Sequence, residues 1–480
     1  MKAIRWSLER SSLVALFVTT LGVFICTRFF YISLMDTKCQ VFTPEACSGS
    51  TRNLETGPEA MYIPLNCSMG ELSGTCPANY YLSQVSAEAP SSCPDYFSWI
   101  YEDLSPWRET GITREMVMKA RRTANFRLVV VDGKAYVERY SKSFQSRDSF
   151  TLWGILQLLR RYPAKLPDLD LMFDCGTLPV IMKDTFRASN YPAPPPVFAY
   201  CGNDSTMDIL FPDWSFWGWP EIRIKPWQLL SKELKEGNTR TRWTDREPYA
   251  YWKGNPNVAA TRMDLLKCNV SDKQDWNARV YAQNWGLELK NGYKQSDLAS
   301  QCIHRFKIYI EGVAWSASQK YIMACDSVTL LVKPIFHEFF TRSLMPLKHY
   351  WPIKDEDKCR SIKHAAQAVG KAASSFILDD LKMDYIYDYM FHLLSEYAKL
   401  LKYKPTVPEK ASELCSELLA CRAKGLEKKF MVDSLVGPAS TQPCTMPPPY
   451  SPAYLHSVIE RKDNGMKQVD TWEREYWKKS

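Results

Sequence analysis

Between Phe306 and Val332 the sequence writes out a β-α-β unit. Phe306-Lys307-Ile308-Tyr309-Ile310 is a short apolar run of buried-strand character, and Glu311-Gly312 interrupts it. Ser316–Cys325 has helical spacing, and Val328-Thr329-Leu330-Leu331-Val332 is a second strand run closed by Pro334. Two strands joined through a helix run parallel, with a right-handed crossover. The unit therefore predicts an α/β chain with a parallel, doubly wound sheet, in which ligands bind at the carboxyl ends of the strands.

The rest of the chain fits that frame. Its 480 residues allow two or three domains, and 13% aromatic content opposes disorder over most of the length. Arg127–Tyr140 reads as a hairpin turning at Asp132-Gly133. Phe150–Arg161 has helical periodicity, Leu169–Phe173 is a strand stopping at Asp174, and Asn190–Pro196 is a Pro-rich loop. Ile377–Tyr403 is a long amphipathic helix with Ile386, Met390, Leu393, Tyr397 and Leu401 on one side. After Cys421 the sequence turns Pro-rich and then strongly charged, and parts of it are expected to be mobile. A net charge of +8, with no long Lys/Arg run, argues against nucleic acid as a partner.

Residues 13–34 are apolar apart from Thr, Ser, Gly and Arg28, and Lys2, Arg5 and Arg10 precede them. That length and flank predict a signal anchor with a cytosolic tail at 1–12. A cleaved signal peptide is the competing reading, but Arg28-Phe29-Phe30-Tyr31 offers no small-x-small cleavage site. Residues 35–95 form a Cys-rich stem. Of the 15 cysteines, Cys26 lies in the anchor and none of the others forms a C-x-x-C pair, so disulfides in a lumenal compartment are expected rather than zinc. Sequons at Asn66, Asn203 and Asn269 fit the same compartment.

Three places at predicted strand ends are candidates for chemistry. Gly312-Val313-Ala314-Trp315-Ser316-Ala317-Ser318 leads from a strand into a helix, with Lys320 behind it. Small residues let backbone approach a ligand, and a helix N-terminus suits a diphosphate; an ordinary capped crossover helix would have the same residues. Tyr251-Trp252-Lys253-Gly254-Asn255-Pro256 is followed by Arg262, either a bidentate phosphate clamp or a surface arginine. Asp174, with Thr177 nearby, is placed to act as a base, or to cap a turn. Asp168-Leu169-Asp170 has the D-x-D form of a metal motif but begins a strand rather than ending one, and no histidines pair at H-x-x-x-H spacing. No metal site is expected.

Read in order, these segments resemble the Rumi-type protein O-glucosyltransferases and their fungal capsule-associated and plant relatives, with wording closest to the plant branch. The resemblance runs from Glu102-Asp103-Leu104-Ser105-Pro106-Trp107 and Gly111-Ile112-Thr113-Arg114 through Leu166–Leu171, Asp208–Trp217 and Tyr251–Asn255 to Cys302–Ser327 and Glu338-Phe339-Phe340, spanning roughly residues 100–405. It implies a metal-independent, inverting enzyme of the GT-B type. An acceptor-side Rossmann-like domain (96–230) and a nucleotide-sugar domain (231–405) would hold a UDP-sugar between them, followed by a C-terminal extension (406–480). By position, Asn255, Arg262 and Val313–Ser318 would line the UDP-sugar site, and Cys302 and Cys325 would form a disulfide bracing that loop. UDP-sugar is a substrate here; no cofactor is implied.

The chain also departs from the family. Relatives carry their base, an Asp, at the position of Thr177, and a threonine is no base near neutral pH. Either Asp174 has taken the role or turnover is lost. The animal enzymes have an Arg where Ser318 stands, and their short disulfide loop is missing around Ser141–Ser149, so the acceptor stays open between protein and glycan. The expectation is a transferase moving glucose or xylose to a hydroxyl. A catalytically impaired nucleotide- or glycan-binding scaffold is the alternative, and a Cys-rich receptor ectodomain has little support. The C-terminus, Tyr476-Trp477-Lys478-Lys479-Ser480, has no Lys-Asp-Glu-Leu-type signal. A single-pass type II protein of the Golgi membrane is expected, with the endoplasmic reticulum as the alternative.

Overall fold

The computed structural model describes residues 64–67, 76, 90–186, 193–293, 297–368 and 376–479. The expected anchor and most of the stem lie outside them. Among the described residues no helix is long and apolar enough to cross a membrane. Two sheets organise the described chain.

The first sheet is built from β1 (Phe126–Val131), β2 (Lys134–Arg139), β3 (Leu169–Phe173), β4 (Val197–Ala199) and β5 (Ile209–Leu210). The predicted hairpin is present: Val131 pairs Lys134 across the turn, where Asp132 and Gly133 both take positive φ (50° and 73°). That backbone matches the twist of the flanking strands. β1 also pairs antiparallel with β3, while β3–β4 and β4–β5 are parallel. The hairpin half of this sheet is thus antiparallel, as its two-residue turn requires, so the sheet is mixed rather than the all-parallel one of a Rossmann-like domain. Helix α1 (Arg147–Arg161) packs almost wholly buried between the hairpin and β3 in sequence.

The second sheet contains β6 (Glu247–Gly254), β7 (Ala278–Ala282), β8 (His304–Tyr309), β9 (Val328–Val332) and β10 (Trp351–Ile353) in the order β10-β9-β8-β6-β7, every pair parallel. The strands predicted around Ile308 and Leu330 are β8 and β9. The short helices α2 (Ala260–Leu265) and α3 (Gln319–Met323) follow β6 and β8, and α4 (Lys358–Ala368) covers the sheet.

The expected long helix, α5 (Met383–Leu400), packs on the first sheet rather than closing the second. Tyr397 Oη donates to the Asp170 carbonyl at 2.9 Å, and Trp217 Nε1 donates to Tyr387 Oη at 3.0 Å. The C-terminal extension is also folded, contrary to the expected mobility. Its strand β11 (Ser412–Leu414) adds to β2 at the edge of the first sheet. Its helix α6 (Pro452–Lys479) lies against the second, with Trp472 stacked on Trp351 and Glu473 paired to Lys354 at 3.0 Å.

Among the described residues five disulfides are formed. Cys67–Cys421, Cys76–Cys415 and Cys93–Cys444 staple the stem to the extension, Cys268–Cys359 ties α2's end to α4, and the implied Cys302–Cys325 pair brackets β8 and α3. Cys175 and Cys201 are buried free thiols. Five bridges fit an oxidising compartment.

Candidate active site

In the second sheet the chain moves from β6 to β7 on one side and then returns to β8, β9 and β10 on the other. The switch point therefore lies between the carboxyl ends of β6 and β8, where such sheets open a crevice. Gly254-Asn255 ends one of these strands and Ile310-Glu311-Gly312 the other. Trp252 folds beneath Gly254 so closely that a Cβ there would lie 2.6 Å from the indole, so only glycine fits.

Arg262 is buried, not a surface residue, and it joins these two loops. Its Nε donates to the Glu311 carbonyl (2.8 Å), Nη2 to Ile310 (3.0 Å) and Nη1 to Asn255 (3.3 Å). A guanidinium has five N–H donors, so these three leave two for a ligand. The Asn255 side chain caps its own turn, accepting from Asn257 N–H at 3.0 Å. Glu311 fixes the next loop, its carboxylate accepting from the Ile335 and Phe336 N–H groups at 2.9 and 2.8 Å; burial pushes its pKa up.

The 312–318 loop is placed unlike the expectation in three respects. Helix α3 begins only after Ser318 and is a single short turn, so a helix-dipole site is not available there. Ser316 and Ser318 do not cap it; their hydroxyls bond each other at 2.8 Å. Lys320 points away from any ligand, because its ammonium is buried against Asp213 (2.7 Å) and Ser215 (2.8 Å) of the first half. A Cβ on Gly312 would stand 3.4 Å from Val258 and 3.5 Å from the Arg262 guanidinium, Val313 is exposed, and Ala314, Trp315 and Ala317 are buried.

On the opposite wall, Asp174 follows β3. It is buried, and its Oδ1 accepts from Gly176 N–H at 2.5 Å. Burial raises its pKa, with that hydrogen bond and the Arg147 charge opposing. Thr177 Oγ1 accepts from Arg147 Nη1 at 3.1 Å, and the Asp208 carboxylate anchors the loop beyond by accepting from Val180 and Ile181 N–H at 2.9 and 3.1 Å.

The walls meet through aromatic rings. The Arg147 guanidinium lies 4.4 Å over Trp214, and the Trp214 and Tyr200 rings stand 6.3 and 5.8 Å from Trp315. Asn255, Arg262 and Gly312 therefore stand together at the β6/β8 switch point, and the Trp315 end of the 312–318 loop meets the Arg147–Trp214 cluster that also holds Thr177. The structure excludes Asp170, whose carboxylate is spent on a buried bidentate pair with Arg127 at 2.7 and 2.6 Å. The sequon residues sit elsewhere: Asn66 is exposed, and Asn203 and Asn269 are half-buried.

The sequence profile of the family described as glycosyl transferase family 90 matches residues 88–473, both walls and most of the extension included. The chain belongs to that family. It is therefore a glycosyltransferase, and of the Rumi type. Protein O-glucosyltransferase 1 of Bos taurus is 27% identical over 340 residues, covering 66% of this chain and 82% of the relative. The human protein of the same name is also 27% identical over 340 residues, with the same coverage. O-glucosyltransferase rumi of Drosophila melanogaster is 25% identical over 336 residues, covering 65% and 79%.

Within the family-90 frame, four side chains that sequence reasoning passed over shape the site. Asp208 and Asp213 both lie in the Asp208–Trp217 segment already quoted as a resemblance, and a carboxylate at each strand end was the available signal. Glu311 both breaks the strand and opens the candidate stretch before α3, but no role was assigned to its carboxylate. Arg147 precedes the helical periodicity, which becomes readable at Phe150, and nothing in the sequence marks it.

Proposed function

We propose that this transferase moves glucose or xylose from a UDP-sugar to a hydroxyl of a protein or polysaccharide, with inversion and without a metal. The observation that supports it most is Arg262 tying the loops after β6 and β8 at the switch point, with two N–H donors unspent. Those donors, with loop backbone near Gly312, would hold the diphosphate and the charge that gathers on it as the sugar leaves. Val313 through Ser318 and Asn255 would line the same site.

Asp174 is the proposed base. A base works best with a pKa near the working pH, and burial moves Asp174 in that direction. Its carboxylate would take the acceptor hydroxyl proton. The oxygen would attack the anomeric carbon from the side opposite UDP, whose bond to the sugar breaks with the pair going to the diphosphate. The membrane part of the proposal is a type II protein of the Golgi, anchored through residues 13–34. The second reading, a scaffold that binds without turnover, is favoured by Thr177 alone.

The test is UDP release by the full-length chain from UDP-glucose, UDP-xylose, UDP-galactose and UDP-glucuronate with a chelator present. Release from one donor, lost in Arg262→Ala, supports the proposal and names the sugar. UDP binding with no release from any donor supports the scaffold. A strict divalent-ion requirement rejects the metal-free mechanism.

A further inference from the structure

Arg147 opens helix α1 in the acceptor wall and is only 7% exposed. Its Nη1 donates to Thr177 Oγ1 (3.1 Å) and to the Cys175 carbonyl (3.2 Å), and its Nε is buried with no partner. Among the described residues no carboxylate lies within ion-pair distance of it. The other buried cations near the cleft are placed differently. Lys320 has Asp213, Arg342 has Asp103 at 2.7 Å, and Arg262 has three carbonyls. A buried guanidinium whose hydrogen bonds go only to a hydroxyl and a carbonyl is under-satisfied.

Its surroundings say what would satisfy it. Trp214 backs one side of the guanidinium at 4.4 Å, and the Phe144 ring lies 5.2 Å away, itself 64% exposed. Leu178, next to Thr177, is also exposed. The arrangement is therefore a planar cation with an open aromatic surface beside it, hydrogen-bonded to the loop that follows β3 and carries Asp174. A carboxylate matches the guanidinium fork, and the C–H side of a pyranose ring suits an exposed aromatic face.

We infer that Arg147, with Thr177 and Phe144, forms a subsite for the carboxylate of a uronic-acid sugar. The inference rests on the glycosyl-transfer reading for placing a sugar in this wall. It deepens that reading by giving the sugar a negative charge. Thr177 belongs to the subsite because it holds the guanidinium without neutralising it; an aspartate there would occupy the cation internally.

The experiment uses the full-length chain with UDP present. It measures binding of glucuronate and galacturonate trisaccharides, their methyl esters and an Asp/Glu-rich peptide by calorimetry, and turnover of UDP-glucuronate against UDP-glucose. UDP binding is measured separately on every sample. Loss of a charge-assisted contact predicts that the free acids bind about tenfold or more tighter than the esters. That preference should vanish in Arg147→Gln and in Thr177→Asp and persist in Thr177→Ser, which would place the carboxylate on the acceptor. A UDP-glucuronate preference lost in Arg147→Gln would place it on the donor instead and equally support the subsite. Equal binding of acids and esters by the wild-type chain, together with no UDP-glucuronate preference, overturns the inference and needs no variant to fold. Tighter capture of the peptide than of either uronate overturns it as well. In both cases retained UDP binding and turnover leave the transfer reading standing, whereas their loss counts against that reading alone.

Discussion

The two walls of the cleft rest on sheets of different construction. The wall we propose for the donor rises from a wholly parallel sheet, and its loops lie at the switch point between β6 and β8. The acceptor wall rises from a sheet that is half hairpin, and its cation, Arg147, has no carboxylate partner among the described residues. On the donor side a charged residue is used to hold loops in place, as Arg262 does. On the other side Arg147 acts on Asp174 and Asp213 only through space, and its hydrogen bonds go to a hydroxyl and a carbonyl. The comparison teaches that the general part of a transfer site can be kept by topology while the specific part is set by single side chains.

Breaking the link between the walls should have the largest effect. Asp213→Ala strands the Lys320 ammonium in the interior, which costs roughly 3–5 kcal/mol when one partner of a buried pair is removed. Urea unfolding should show that loss, and the double variant Asp213→Leu/Lys320→Met should recover most of it. An equal loss in the double variant would mean that packing, not the stranded charge, was responsible. Arg262→Ala sharpens the donor side alone. Releasing the two loops should weaken UDP-sugar binding roughly tenfold to a hundredfold, while leaving any binding at Arg147 unchanged.

The smallest effect concerns Lys307, inside the donor sheet. It is buried with its Nζ 3.2 Å from the Cys325 sulfur, and burial pulls its pKa from 10.5 down to about 7. Between those values the unfolded chain carries a proton that the folded chain lacks, so this group makes stability rise with pH across that window. Lys307→Met should flatten the change in urea midpoint between about pH 7 and about pH 9, and no variant of the acceptor wall should do so.

Much of the donor wall was legible because strand runs, Gly breaks and a short crossover are local patterns with one parallel solution. The Asp132-Gly133 turn was legible for the same reason. The placement of α5 was not: its apolar stripe says that it packs, but not on which sheet. Likewise, charge and proline content in the extension hid three disulfides to residues more than 300 positions away and a strand that pairs with distant β2. At the candidate site, Asp174 stands out as a carboxylate at a strand end and Arg262 as a cation on the helix after one, while Lys320 meets Asp213 from the other half of the chain, a pairing no local pattern shows. Arg147 was invisible because nothing local marks it; its place is set by contacts with Thr177, Cys175 and Trp214, distant in sequence.

The central claim is that Asp174 serves as base although the family's base position holds Thr177. The rate of UDP release by the full-length chain, followed against pH for the wild type and for Asp174→Asn, tests it most directly. Burial raises the Asp174 pKa, so wild-type activity should climb with pH through a limb shifted upward from that of an ordinary aspartate. Asp174→Asn should lose about 10²–10⁴-fold and that limb with it. Wild-type rates in Asp174→Asn, with a gain only in Thr177→Asp, would contradict the claim and return the role to position 177.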